Sequence, residues 1–476
     1  MPKGARVCHR QVEWGFRRAD ANKRFSSFEC ASDWEDNTVC EIIHVGIPRA
    51  PEDLLFEAIS KGHPRNLIAR VPEAVQDAIE NLLHQPLHIR LEKWTQFFKK
   101  WLKRSLELRS QEEELREQMP LHLRRVLKGK RLLLWKEILV DLKYKDAGII
   151  DDVIKGFSLT GWAPKTGVFE PWVRKPAYSL EHLLKLSPAL NAAVTGSLTS
   201  ATEGEHDQFV CQKEVEQGWL YPTDRSKPEC IAKRFPLQQA NKVRLIDDFS
   251  INGVNAAYGL REKLRVQSID ELCSYLAYIL DHCDEPAALE LVGRTFDLKQ
   301  AYRQFGVDPY HHELLKIAVR KPSGSYQLFR VGALPFGAVG SVTAFLRISN
   351  CISFIASKAL DIVLTAFLDD FTVVCRKSET MSATFCMEAL FRMLGIWFAD
   401  SGDKALPFNS VFKTLGLLIS FEHLEAGSFQ LEHTESRRNE VLQNLETLVK
   451  IDVPRKSWSV YTAVLFGSIL FVSGER

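Results

Sequence analysis

The 476-residue sequence predicts an α+β fold. Three observations carry that reading. Between 73 and 142, apolar residues recur at spacings of three and four, as on an amphipathic helix. Further along, short β-prone runs come in pairs joined by turn residues, the pattern of antiparallel hairpins. One such hairpin, Ala366-Phe367-Leu368-Asp369-Asp370-Phe371-Thr372-Val373-Val374, sets two adjacent carboxylates between apolar arms. Burying an unpaired carboxylate costs several kcal/mol or more, so this pair asks for a divalent cation and a third acid. Asp297, at the end of the apolar run 289–298, is the best candidate for that acid.

Composition narrows the field. Lys and Arg number 62 against 60 Asp and Glu, a net charge of +2, so any bias toward a charged partner is local. Ten cysteines are scattered with no C-x-x-C pair, which argues against a zinc site and a disulfide framework and for reduced, intracellular thiols. No apolar run follows Met1, so no secretory signal is expected. The apolar run 460–472 is too short to span a bilayer, is broken by Gly467, and reads as a core helix. An intracellular protein with no membrane partner is expected, and nucleus and cytoplasm fit equally.

In chain order, residues 1 to about 75 carry Trp14, Phe16, Trp34 and recurrent prolines without a functional signal. Leu91, Trp94, Phe97, Phe98, Trp101 and Leu102 then form a helical stripe, backed by Lys93, Lys99, Lys100, Lys103 and Arg104. A second basic cluster, Arg124, Arg125, Lys128, Lys130 and Arg131, lies past Pro120, which separates two helices. These cations read first as solvated helix faces and second as a phosphate-contact surface. Residues 146–175 are turn-rich, and a helix is expected from Leu180 to about Ala193, or to an early end near Ser187 because Pro188 follows. The stretch 231–255 reads as a hairpin with Lys233, Arg234, Lys242 and Arg244 near its turn. After it come a helix over 269–282, the strand ending at Asp297, a strand pair 316–320 and 326–331, and a Gly-containing loop 334–341. A long helix over 343–360, the Asp369-Asp370 hairpin, a helix over 382–394, a strand pattern 411–420 interrupted by Gly416, and a charged helix over 434–450 complete the chain.

This ordered set resembles the reverse transcriptases of retroelements, and most of all those of tyrosine-recombinase or long-terminal-repeat elements. The resemblance covers about 145–476. It rests on the basic hairpin, Asp297 followed by Tyr302, Leu334-Pro335-Phe336-Gly337, Phe367-Leu368-Asp369-Asp370, a lysine ahead of a strand (Lys404), and Thr414-Leu415-Gly416. Two positions depart from the family pattern. Phe367 stands where tyrosine is usual, and Val342 follows Ser341 where proline is usual.

The resemblance implies a right-hand polymerase of fingers, palm and short thumb with a helical N-terminal extension. Its divisions are an extension over 1–115, fingers over 116–260, a palm over 261–430 and a partial thumb over 431–476. It implies an RNA-directed DNA polymerase that adds deoxynucleotides to a primer on an RNA or DNA template, using two Mg²⁺ ions, with Mn²⁺ as a substitute. Asp297 and Asp369 would be the main metal ligands and Asp370 a weaker or outer one. Lys404 would serve the leaving pyrophosphate, or is an ordinary loop lysine. Tyr302 would exclude a 2′-hydroxyl, Phe336 and Gly337 would lie under the base, and Arg244 with Lys242 or Arg234 would meet the triphosphate. Leu415 and Gly416 would form the primer grip. The short thumb also fits a fragment of a longer polyprotein, or a decayed copy that only binds nucleic acid.

Overall fold

The computed structural model describes residues 71–198, 212–239, 242–321 and 323–450. The chain divides into two units, Met1–Leu67 and Ile68–Arg476, and every described residue belongs to the second. The readings at Trp14, Phe16, Trp34 and 460–472 lie outside the described residues.

Helices α1 (Glu73–His84), α2 (Leu87–Glu107), α3 (Arg109–Gln118), α4 (Leu121–Val126), α5 (Leu132–Asp141) and α6 (Ile149–Lys155) come first. Then follow β1 (Gly161–Trp162), β2 (Glu170–Arg174), α7 (Leu180–Gly196), α8 (Gln212–Glu216), β3 (Leu220–Thr223), β4 (Cys230–Gln239), β5 (Lys242–Asp248) and β6 (Tyr258–Lys263). Next are α9 (Ile269–His282), β7 (Leu291–Asp297), α10 (Pro309–Leu314), β8 (Leu315–Arg320), β9 (Tyr326–Val331) and α11 (Val339–Leu360). The last elements are β10 (Val363–Phe367), β11 (Asp370–Arg376), α12 (Thr380–Leu394), β12 (Val411–Thr414), β13 (Leu417–Ser420), β14 (Gln430–His433) and α13 (Glu435–Lys450). Mixed helices and small, mainly antiparallel sheets fit the α+β class: β1-β6-β2, β10-β11-β7, β12-β13-β14 and β3-β9-β8-β4-β5.

The sheet of β7, β10 and β11 is the centre. Its strands read as nearly continuous apolar runs because both faces are covered away from the carboxylates, one by α11 and α12 and the other by α9 and β12. Leu291, Val292, Phe296, Leu364, Ala366, Phe371 and Val373 are all buried. Helix α11 is buried along most of its length. It is also long and apolar enough to cross a membrane by composition, and here it is the core helix behind this sheet.

Of the two ends the sequence allows for the helix from Leu180, the structure takes the longer: α7 runs through Pro188 to Gly196. Proline cannot donate to the Leu184 carbonyl, but the Ser187 hydroxyl does so at 3.0 Å, so the turn survives. The aromatic stripe of α2 packs against the end of α11 and the segment ahead of α12. Trp94 and Trp101 are buried, the Trp94 indole donates to the Leu360 carbonyl at 2.6 Å, and Arg90 pairs with Glu379 at 2.6 Å. Helices α1 and α2 therefore dock on the end of α11 that feeds β10.

Candidate active site

Strand β11 lies between β7 and β10. Its first residue, Asp370, is the direct cross-strand partner of Asp297. Such partners in an antiparallel ladder sit about 5 Å apart at Cα and point to the same face. Asp369 occupies the two-residue turn between β10 and β11, and the Leu298 amide donates to its carbonyl at 3.0 Å. The other turn residue, Leu368, has φ +53°, a left-handed conformation that is costly for leucine. The buried Ser349 hydroxyl on α11 holds this turn by donating to the Leu368 carbonyl at 2.6 Å. On the next strand, the Ala366 amide donates to the Gln267 side chain at 2.5 Å. Gln300, three residues past Asp297, and Leu415 also have positive φ, 53° and 48°. Three strained non-glycine positions thus lie on the loops around the carboxylates.

Charge crowding marks this face. Burial, then the Asp369 and Asp297 charges, push the Asp370 carboxyl up to about 6, while Lys404 pulls the other way. The Lys404 ammonium donates to Asp297 Oδ2. Among the described residues no three His, Cys, Asp or Glu side chains converge closely enough to hold a metal as they stand. The donor set nevertheless fits a hard divalent ion. All three candidates are carboxylates, and the Asp369 and Asp297 charges add to burial in raising Asp370.

Tyr302, in a short 3₁₀ turn, is buried against this face. Its ring lies 4.9 Å from Phe345 and 5.1 Å from Phe336, and burial with the Asp369 charge pushes its hydroxyl up to about 12. Phe336 is 40% exposed. Gly337 has φ +89°, and a Cβ there would lie 2.0 Å from the Asp247 carbonyl, so only glycine lets this loop meet β5. Asn255 clips the loop on both sides, donating to the Gly337 carbonyl at 2.9 Å and accepting from the Val339 amide at 2.8 Å.

The basic hairpin forms as β4 and β5, with Arg234 opposite Asp247. The side chains of Lys242 and Arg244 lie outside the described residues. Arg234 corrects the sequence reading. Its side chain is fully buried and bonded to Asp247 at 2.6 Å and Glu214 at 2.5 Å, with Arg303 on the same Glu214 at 2.7 Å. Its charge is consumed by carboxylates, so it is not free to meet a triphosphate. Burial pushes Glu214 up, but Arg303 and Arg234 outweigh it and hold its carboxyl below the usual range. Lys130 also departs from the basic-surface reading. It is buried, with Nζ 3.1 Å from Gln304 Oε1 and 3.2 Å from the Gly395 carbonyl, and burial lowers its amine to about 7.

Leu415 and Gly416, both at positive φ, form the turn between β12 and β13. This hairpin crosses the carboxylate face: Phe412 packs on Gly293, and Thr295, Thr372 and Thr414 join through their hydroxyls. Sequence reasoning had Thr414 only as the first residue of the Thr414-Leu415-Gly416 motif, and missed Thr295 and Thr372 together with Ser349, Gln267, Asn255, Glu214, Asp247 and Arg303. The one signal for the threonines was period two, since Thr295 and Thr372 lie two residues from Asp297 and Asp370 on the same faces. The others become neighbours only through tertiary packing.

No family model matches the chain, and no curated protein matches it. Among solved structures, a foamy viral protease-reverse transcriptase in complex with double-stranded DNA is similar to it, at 13% identity and a TM-score of 0.41. The match covers 70% of this chain and 52% of that one, so the chain spans about half the neighbour's length.

Proposed function

We propose that this chain is an RNA-directed DNA polymerase of a retroelement, with β7, β10 and β11 as the palm. The observation that carries the reading is the meeting of Asp297 with Asp370 across neighbouring strands and of Asp369 at the adjoining turn, from segments more than 70 residues apart. In this reading the β3-β9-β8-β4-β5 sheet belongs to the fingers and α13 begins the thumb. Helices α1 and α2 buttress the palm from behind.

Two magnesium ions held by Asp297 and Asp369, with Asp370 as the outer ligand, would clamp the attacking and leaving oxygens of nucleotidyl transfer. The chain's own residues do the positioning. Asp297, paired with Lys404 in this structure, would hold the cation with Asp369, and Lys404, on a 61% exposed side chain, would reach the pyrophosphate to neutralise or protonate it. The Tyr302 ring, fixed between Phe345 and Phe336, forms a wall where a 2′-hydroxyl would sit, which selects deoxynucleoside triphosphates. Phe336 presents an exposed ring edge to the base, and Gly337 keeps the loop close to β5. Lys242 and Arg244 lie on the strand that leads from the hairpin turn, where cations meet phosphates. Leu415 and Gly416 lie beneath the primer end.

Primer extension on an RNA template with Mg²⁺ and deoxynucleotides, beside Asp369→Ala, tests this. Extension by the parent and none by the variant is expected. Equal extension by both overturns the assigned site. Extension by neither, with salt-dependent duplex binding retained, favours a decayed copy that only binds nucleic acid.

A further inference from the structure

Gly293, Thr295 and Asp297 alternate along β7 and so share one face. On β11, Asp370 and Thr372 share the matching face, opposite Asp297 and Thr295. Strand β12 lies across this face. Its Phe412 ring fills the notch at Gly293, where a Cβ would sit 2.2 Å from the ring. Asn409, just before β12, exchanges backbone hydrogen bonds with Gly293 at 2.9 and 3.1 Å.

Two residues nearer the carboxylates, the contact becomes polar. Thr414 and Thr372 are 2.6 Å apart at Oγ1, Thr372 and Thr295 3.2 Å, and Thr295 Oγ1 donates to the Lys413 carbonyl at 3.2 Å. Each hydroxyl has one proton. With Thr295 donating to Lys413, a consistent chain follows: Thr414 donates to Thr372, Thr372 donates to Thr295, and Thr295 donates to Lys413. The chain leaves β12 at Thr414 and returns to it at Lys413, closing a clasp. Thr372 and Thr414 are each 2% exposed, so water does not replace a missing partner there. Thr414 directly precedes the Leu415-Gly416 turn, and Thr295 and Thr372 lie about 7 Å along their strands from Asp297 and Asp370.

We propose that Thr295, Thr372 and Thr414 are positioning residues that fix the β12–β13 turn relative to the carboxylates, and so hold a primer's 3′-oxygen in line for attack. The role of the turn rests on the polymerase reading. The clasp itself does not. In-line attack tolerates little displacement, so loosening the clasp slows chemistry more than nucleotide binding.

The test compares Thr372→Val, Thr372→Ser and Thr414→Val in two measurements. In single-nucleotide extension, Thr372→Val is expected to lower kcat about tenfold, with the deoxynucleotide KM within about twofold and rescue by serine. In hydrogen exchange, amides over 411–420 are expected to exchange about tenfold faster in both valine variants than in the parent or the serine variant. Parent-like exchange over 411–420 in the valine variants overturns the clasp, whatever the activity. Faster exchange with unchanged kcat overturns its positioning role. A parent that extends nothing, with faster exchange in the variants, removes the polymerase reading and leaves the clasp. If Thr372→Val does not fold, Thr414→Val decides, because it opens the clasp from the hairpin side.

Discussion

Two charge clusters flank Tyr302, and they are built on opposite principles. Behind it, Arg234 and Arg303 meet Glu214 and Asp247, two cations against two anions, with both arginines and Asp247 buried. Beside it, Asp297, Asp369 and Asp370 crowd onto one face, with the Lys404 ammonium on Asp297. The balanced cluster ties the β4–β5 hairpin to the turn after β7. The crowded one, through burial first and then the Asp369 and Asp297 charges, keeps the Asp370 carboxyl up at about 6. Burial with opposite charges paired suits scaffold, and like charges crowded together are the pattern expected of a site.

The comparison is broken most severely at the site. In the polymerase reading, Asp297→Ala should lower extension roughly a thousandfold or more with little change in melting temperature, since the loss of its exposed pair with Lys404 is offset by less repulsion of Asp370. A loss explained by unfolding would place Asp297 in the scaffold instead. In the balanced cluster the signs reverse. Asp247→Ala should cost about 3–5 kcal/mol by stranding buried Arg234, seen as a lower denaturant midpoint, and the added change Arg234→Leu should recover part of that loss. If both variants are as stable as the parent, the cluster is not scaffold.

Tyr302 stands between the two. Tyr302→Ala should raise ribonucleotide incorporation relative to deoxynucleotide by about a hundredfold, roughly 3 kcal/mol of discrimination, in single-nucleotide assays with both substrates. Unchanged discrimination would make it a plain core ring against Phe345. The smallest effect sharpens the contrast through pH. The Asp370 carboxyl is raised from 3.8 to about 6, so the folded protein binds more protons than the unfolded one between those values, and stability falls as pH rises through that window. Asp370→Asn should therefore stabilise the protein by about 2 kcal/mol at pH 7.5, and the gain should shrink as pH falls below 6. Thermal melts across that range check the sign, and a pH-independent gain would mean that the ionised Asp370 carboxylate is not its source.

The parts of the site legible in the sequence were those written in local chemistry. The acid pair in an apolar hairpin, the strand ending at Asp297 and the Gly416 turn follow from β-propensity, period two and turn residues, and each strand formed within a few residues of its expected place. The reading failed where a residue's partner lies far along the chain. Arg234 and Lys130 looked like surface cations because nothing local reveals Glu214, Asp247 or Gln304 beside them. Pro188 left the end of its helix open between Ser187 and Ala193, because the Ser187 hydroxyl's choice of the Leu184 carbonyl depends on the folded turn.

By itself, then, the sequence determined which segments become strands and helices and which acids they carry, because those preferences act over a few residues. Only the tertiary structure decided which charges are neutralised. Burial and pairing depend on neighbours as distant as Glu214 and Arg303 or Lys404 and Asp297, and the energy of a charge is set by what surrounds it rather than by what precedes it.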